Sequence, residues 1–380
     1  MIDVYEHNIP AIVKAVALFL GRDNLDRRIA TAEKALAGAL PLYRENFVRP
    51  RQFLWIGTRD ILKNLRSGSF TLKSATPTII AALHHLASIH SVLHTMPSWK
   101  KDEFRARLMD KSGGDIPALI EIAAASRIVN HGGTIKWIAE QRSGERIFDL
   151  LVSFKGEKLE VECKAKTVDA GRKLARAAIY QFGDQVRSRR IFRNPEPRYA
   201  TITMDGRFPI DQRGQQNLLE AIEALAASCG TRTVNDATIS VEKISEQELK
   251  AHACSELKEF EHRFISPKLI VSLKSSKPDH MIGSIEGDLR DALRQFSGNR
   301  PAAIVCYVPE IESFAGTEKS GTATFALVHR FLTRADAKNI VSLTFTSDPT
   351  IDFRSNETET GIPCVRFVAN KFRESRLAIF

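Results

Sequence analysis

The nineteen residues from Phe148 to Lys166, FDLLVSFKGEKLEVECKAK, limit the fold more than any other part of the chain. Two strand-like runs flank Lys155-Gly156-Glu157-Lys158, and Gly156-Glu157 fits a two-residue Gly-X loop, so the segment predicts a β-hairpin. In the first run Asp149 is followed by four apolar residues out of five. A carboxylate there is a poor strand former and costly to bury alone, so Asp149 demands a partner. The second run alternates, with Leu159, Val161, Cys163 and Ala165 on one side and Glu160, Glu162, Lys164 and Lys166 on the other.

If Lys155 pairs with Lys158, Asp149 falls opposite Lys164 and Leu151 opposite Glu162, within one register step. Facing positions on paired strands lie about 5 Å apart and diagonal ones about 7–8 Å. Asp149, Glu162 and Lys164 can then converge. Two carboxylates so placed suit Mg²⁺, which takes few protein oxygens and keeps several waters, with Mn²⁺ as an alternative. Cross-strand charge pairing on a solvent-facing strand is the competing explanation of the Glu/Lys alternation. Glu121 is the only charged side chain in IPALIEIAAAS, residues 116–126. It reads either as a third acid beside the sheet or as a group held by an N-terminal salt bridge or exposed to solvent.

Around the hairpin the pattern predicts an α/β chain. Apolar residues at three- and four-residue spacings predict an N-terminal all-helical domain over residues 1–110, and KSGGD, residues 111–115, reads as a linker ending in a helix cap. Residues 111–380 then form the second domain. Helices are expected at 115–131, 170–190, 211–228, 284–297 and 324–333. Strands are expected near 146–154, 158–166, 198–204, 268–274, 302–308, 340–346 and 364–369. Their interleaving predicts a mixed sheet flanked by helices.

Charge points to an anionic partner: 55 Lys and Arg against 45 Asp and Glu give a net +10. Residues 44–66 carry six basic side chains around Phe53 and Trp55, read as a solvated helical face over a core aromatic pair rather than a nucleic-acid surface. The five cysteines are scattered without CxxC spacing, and no signal peptide is evident, so a cytoplasmic protein with reduced thiols is expected. Residues 74–99 lack Lys, Arg, Asp and Glu until Lys100, but Pro77, Pro97 and four histidines argue for a buried helix and no membrane. Walker-type, HExxH, GxSxG and zinc-type spacings are absent, GTEKSGT at 316–322 lacking the P-loop lysine.

Asp149 followed by Glu162-Cys163-Lys164 resembles the D…(D/E)xK signature of the PD-(D/E)XK, or restriction-endonuclease-like, nucleases. About 90 of the 380 residues carry the resemblance. It implies a core in which a helix precedes the hairpin and a second helix and further strands follow. It also implies Mg²⁺ on Asp149 and Glu162, Lys164 orienting or activating the attacking water, and Glu121 assisting from the preceding helix. Phe148 stands where the family usually has proline.

The next helix, GRKLARAAIYQFGDQVRSRRIFR, sets Leu174, Ala178, Phe182 and Val186 at four-residue steps toward the sheet. Residues 171–199 hold eight basic side chains against Asp184 and Glu196, a net +6, so Arg172, Lys173, Arg176, Arg187, Arg189 and Arg190 are the expected phosphate contacts. Gln181 resembles the polar residue that many family members place on this helix near the active site. His84, His85, His90 and His94 read as core or interface residues rather than metal ligands.

The functional expectation is a Mg²⁺-dependent nuclease on nucleic acid, DNA first, in a restriction or antiphage setting, with the helical domain recognising target or partner and a homodimer permitted. The alternatives are a non-catalytic nucleic-acid-binding module on the same fold and a protein-interaction scaffold.

Overall fold

The computed structural model describes residues 5–110, 115–139, 147–166, 171–189, 196–255, 261–266, 268–277, 280–308, 323–347, 350–354, 357–361 and 364–368. In chain order come helices α1 (Ile9–Leu20), α2 (Arg22–Gly38), the one-turn α3 (Pro41–Tyr43) and α4 (Arg49–Arg51), α5 (Phe53–Arg66), α6 (Pro77–Val92), α7 (Ser98–Met109) and α8 (Asp115–Asn130). Strands β1 (Thr134–Trp137), β2 (Leu150–Phe154) and β3 (Glu157–Ala165) follow, then α9 (Arg176–Ser188), β4 (Arg198–Met204), α10 (Gln212–Ser228), β5 (Gly230–Val234), β6 (Ala237–Lys243) and α11 (Glu246–Cys254). The remainder is β7 (Glu261–Ile265), β8 (Leu269–Ser275), α12 (Met281–Gln295), β9 (Ala302–Tyr307), α13 (Ala323–Leu332), β10 (Ile340–Thr346), β11 (Thr350–Arg354), β12 (Glu357–Gly361) and β13 (Cys364–Val368).

The chain is α/β, and it does not divide near residue 110. One compact unit comprises Met1–Ala37, Arg51–Val168 and Ser284–Phe380; the other comprises Gly38–Pro50 and Asp169–Gly283. The reason lies in α8, which is apolar on nearly every side, with Ala118, Leu119, Ile120, Ile122, Ala124, Ala125 and Ile128 buried. A helix buried all round must be covered on two sides. Helices α6 and α7 cover it from one direction and strands β1 and β3 from another, so the N-terminal helices share a core with the sheet. Gly57 tightens that layer, since a Cβ there would stand 2.4 Å from Ala82 Cβ on α6.

The first unit holds a six-stranded mixed sheet in the order β1-β2-β3-β9-β10-β13. Strands β1, β2 and β3 form an antiparallel meander, and β9 lies parallel to β3 after a crossover through α12. The expected hairpin is present with its turn one residue earlier. Lys155 and Gly156 occupy the loop with φ of 49° and 85°, and Phe154 pairs with Glu157. Positive φ at both positions is the type I′ pattern, whose twist suits the flanking strands just as the type II′ loop expected at Gly156-Glu157 would. Leu151 therefore faces Glu160 rather than Glu162, and the register extends to put Asp149 opposite Glu162 instead of Lys164.

The second unit has its own sheet, β5-β6-β4-β8-β7, also mixed. Ala178, Phe182 and Val186 form a buried stripe on α9 with Leu174 just ahead of the helix, but all four pack with β4, β6, β7, β8 and α10 in this second core. Gly183 lets the helix approach closely: a Cβ would meet the Phe264 ring at 2.4 Å. The buried Asp184 carboxylate accepts from Leu42 N and Tyr43 N, both at 2.9 Å, which ties residues 38–50 to this unit. Strands β5, β6 and β7 and helix α11 were not foreseen.

Phe53 and Trp55 are both buried, and the Arg28 guanidinium lies over Trp55 at 5.2 Å, so the aromatic pair is core. His84 and His85 are driven down to about 4 and about 3 by burial, while His90 and His94 are exposed rather than core. No helix among the described residues is long and apolar enough to cross a membrane.

Candidate active site

Strand β3 is interior to the sheet, and this decides the character of its polar face. Glu160 is fully buried and Glu162 is 2% exposed, so the alternating Glu/Lys run is not a solvent-facing strand. Each glutamate then needs an explanation. Glu160 has a structural one: it accepts from Ser297 N at 2.8 Å, Ser297 Oγ at 2.6 Å and Arg300 Nη1 at 3.2 Å, pinning the segment after α12 to β3.

Glu162 does not. Its Oε1 pairs with Lys164 Nζ at 2.7 Å, while its buried Oε2 has no hydrogen-bond donor among the described residues. The neighbour of Glu162 is Asp149, whose Oδ2 accepts from Cys163 N at 2.7 Å. The two carboxyls lie close enough to act on each other's ionisation, and two carboxylates share a hydrogen bond only when one of them is protonated. Burial, then the charges of Glu162 and Glu121, hold the Asp149 carboxyl well above the usual range. Burial pushes Glu162 up to about 7 against the pull of Lys164. A bound proton or a bound cation would relieve the pair.

Lys164 is fixed from two sides, by Glu162 and by Gln295 Oε1 on α12 at 2.5 Å. Lys166 repeats the arrangement one pleat on, bonding Ser284 Oγ at 2.7 Å and Asp288 Oδ2 at 2.6 Å, also on α12. Glu121, 5% exposed on α8, lies close enough to raise both acids, yet its own oxygens are occupied. Arg107 Nη2 reaches Oε1 at 2.5 Å and Lys100 Nζ reaches Oε2 at 3.4 Å, both from α7. Both sequence readings of Glu121 are therefore met in part: it stands beside the acids, and it is held by cations from the N-terminal helices.

The structure brings Asp149, Glu162, Lys164 and Glu121 together; the other expected residues that it describes belong to the second unit. Gln181 is exposed on α9, in the second unit, whose core is built on a different sheet from the one carrying Asp149. The same unit holds Arg172, Lys173, Arg176, Arg187 and Arg189; Arg190 lies outside the described residues. Arg176 stacks over Tyr180 at 5.6 Å, Arg189 pairs with Glu223 at 3.1 Å, and Arg187 is exposed. Sequence reasoning missed Gln295, Lys100 and Arg107. Helix 284–297 was expected, but α9 follows β3 sooner and took its place.

Asp149 and Glu162 fit a small divalent cation: both are carboxylates, one oxygen lacks a donor, and Mg²⁺ needs only one or two protein carboxylates. Among the described residues no group of three or more His, Cys, Asp and Glu side chains is placed to hold a metal. Comparison with protein-family models, curated proteins and solved structures finds no match to this chain.

Proposed function

We propose that this chain is a Mg²⁺-dependent nuclease of the PD-(D/E)XK type, hydrolysing phosphodiester bonds in nucleic acid, with DNA the first substrate to test. The observation that carries the reading is the buried, donorless Glu162 Oε2 beside Asp149, with Lys164 Nζ 2.7 Å from the same carboxylate. The element order supports it. Helix α8, the β2–β3 hairpin, α12 and the parallel strand β9 follow the order that the resemblance implies, with most of the second unit inserted between β3 and α12.

Asp149 and Glu162 would hold the ion, which when bound neutralises phosphate charge and acidifies a bound water. Lys164 has three N–H donors, and Glu162 and Gln295 engage two of them. The third, unengaged among the described residues, would orient the attacking water or stabilise charge on a phosphoryl oxygen. Gln295 stands on α12 where Gln181 was expected to stand, and by accepting from Nζ it fixes the direction of that free donor.

Incubating the purified protein with circular and linear DNA, with Mg²⁺ and with EDTA, tests the reading. Cleavage should require Mg²⁺ and disappear in D149N, E162Q and K164M, each keeping its unfolding midpoint within a few degrees of the parent. DNA binding without cleavage under every metal condition would instead favour the non-catalytic binding module.

A further inference from the structure

Helix α7 belongs to the stretch expected to recognise a target, but two of its cations, the buried Lys100 and the half-buried Arg107, stand on Glu121 of α8, beside the acids of the hairpin. Lys100 is 4% exposed and sits against aromatic rings, with Nζ 4.5 Å from the Phe104 centroid and 5.7 Å from that of Trp137. It bonds Glu103 Oε1 at 2.8 Å as well as Glu121. Arg107 spans the same two glutamates, at 3.1 Å and 2.5 Å. Two cations and two carboxylates thus form a closed, neutral cluster. Removing either cation leaves a buried charge uncompensated, so the cluster holds its arrangement.

That neutrality sets how much positive charge the site can accept. With both carboxyls ionised, as metal ligands must be, Asp149, Glu162 and Lys164 carry a net charge of −1. A single divalent ion takes this to +1, which matches a phosphodiester of charge −1. A second ion would need Glu121 as its ligand, and the ammonium of Lys100 and guanidinium of Arg107 already stand on both Glu121 oxygens and repel a cation there.

Resting on the nuclease reading, we propose that Lys100 and Arg107 are positioning residues that hold Glu121 out of the metal shell and restrict the site to one divalent cation on Asp149 and Glu162. The N-terminal helices would then set the metal stoichiometry of the site.

Mn²⁺ titration of the full-length protein, with the free ion followed by electron paramagnetic resonance, measures this without reference to turnover. The parent and Glu121→Gln should each bind one ion, with Kd values within about threefold of each other. A folded Arg107→Gln should gain a second, weaker site. Two ions on the parent falling to one on Glu121→Gln would overturn the proposal while leaving the nuclease reading intact. So would a Glu121→Gln Kd raised more than ~10-fold at an unchanged unfolding midpoint, or a folded Arg107→Gln still limited to one ion. If Arg107→Gln does not fold, the parent and Glu121→Gln decide alone. No ion on the parent, or unaltered binding in D149N/E162Q, would sink the metal reading itself and the proposal with it.

Discussion

Glu162 shows how one side chain can couple stability to the state of the site. Burial raises its carboxyl from an ordinary 4.5 to about 7. In the unfolded chain it ionises near 4.5, so between there and about 7 the unfolded state has released a proton that the folded state keeps. Rising pH therefore destabilises metal-free protein across this window, by on the order of 3 kcal/mol for the full shift. The Glu162 contribution is fully present below about 4.5 and lost as pH rises through 7. The unfolding midpoint in EDTA of E162Q, compared with the parent, should gain several degrees at pH 8 and little at pH 5. Mg²⁺ should raise the parent's midpoint mainly at the higher pH, where it no longer competes with the proton. A parent-to-E162Q difference that is flat with pH would refute the assignment.

On the nuclease reading the same pair would face a phosphate, and at a pH above their raised range the metal-free acids Asp149 and Glu162 would repel it. The double variant D149N/E162Q should therefore bind DNA in EDTA at least as tightly as the parent, as read by anisotropy, while cleavage is lost. Weaker binding by a folded double variant would mean that these acids do not face the substrate.

At the scale of elements, α12 carries the support that the hairpin lacks. Gln295 accepts from Lys164, and Ser284 and Asp288 accept from Lys166. A hydrogen bond to a charged group contributes about 1.5–3 kcal/mol. Gln295→Leu should lower kcat about 10- to 100-fold with a smaller change in KM, if Lys164 acts in the transition state. Gln295→Asn should recover part of the loss, and equal effects on kcat and KM would assign Gln295 to substrate binding. The turn is a second test. Gly156 has φ of 85° with open space around it, so Gly156→Ala meets backbone strain rather than a clash. It should cost about 1 kcal/mol, measured by denaturant unfolding, and leave Mn²⁺ stoichiometry unchanged.

At the scale of the whole molecule, the candidate acids and the basic run around α9 belong to different compact units. If that run contacts nucleic acid, replacing Arg172, Lys173, Arg187 and Arg189 with Gln should weaken binding across sequences. The salt dependence should flatten by about 0.9 per lost duplex phosphate contact. The one-ion Mn²⁺ stoichiometry should stay as in the parent, because the two groups belong to separate cores. Unaltered affinity and salt slope would leave the run as a solvated face.

The sequence by itself determined the parts that depend on neighbours along the chain. The α/β class, the β2–β3 hairpin, the apolar α8 and the stripe on α9 were all legible in periodicity and turn residues. The grouping of Asp149, Glu162 and Lys164 was legible too, because pleating sends alternate side chains to one face. The error of one residue in the turn arose because Lys155-Gly156 and Gly156-Glu157 both offer a glycine and both fit a favoured two-residue loop, so the local residues do not choose between them. Tertiary structure decided what contact at long range decides. It placed α9 in a second core and α12 against β3. It buried Glu160 and Glu162 by setting β9 beside them, and it brought Lys100 and Arg107 to Glu121. None of these leaves a local signature: amphipathic helices such as α9 and α12 offer similar stripes, and which sheet each covers is settled by the strands between them. A lysine in SWKKDEF likewise reads as exposed until aromatic rings from elsewhere close over it.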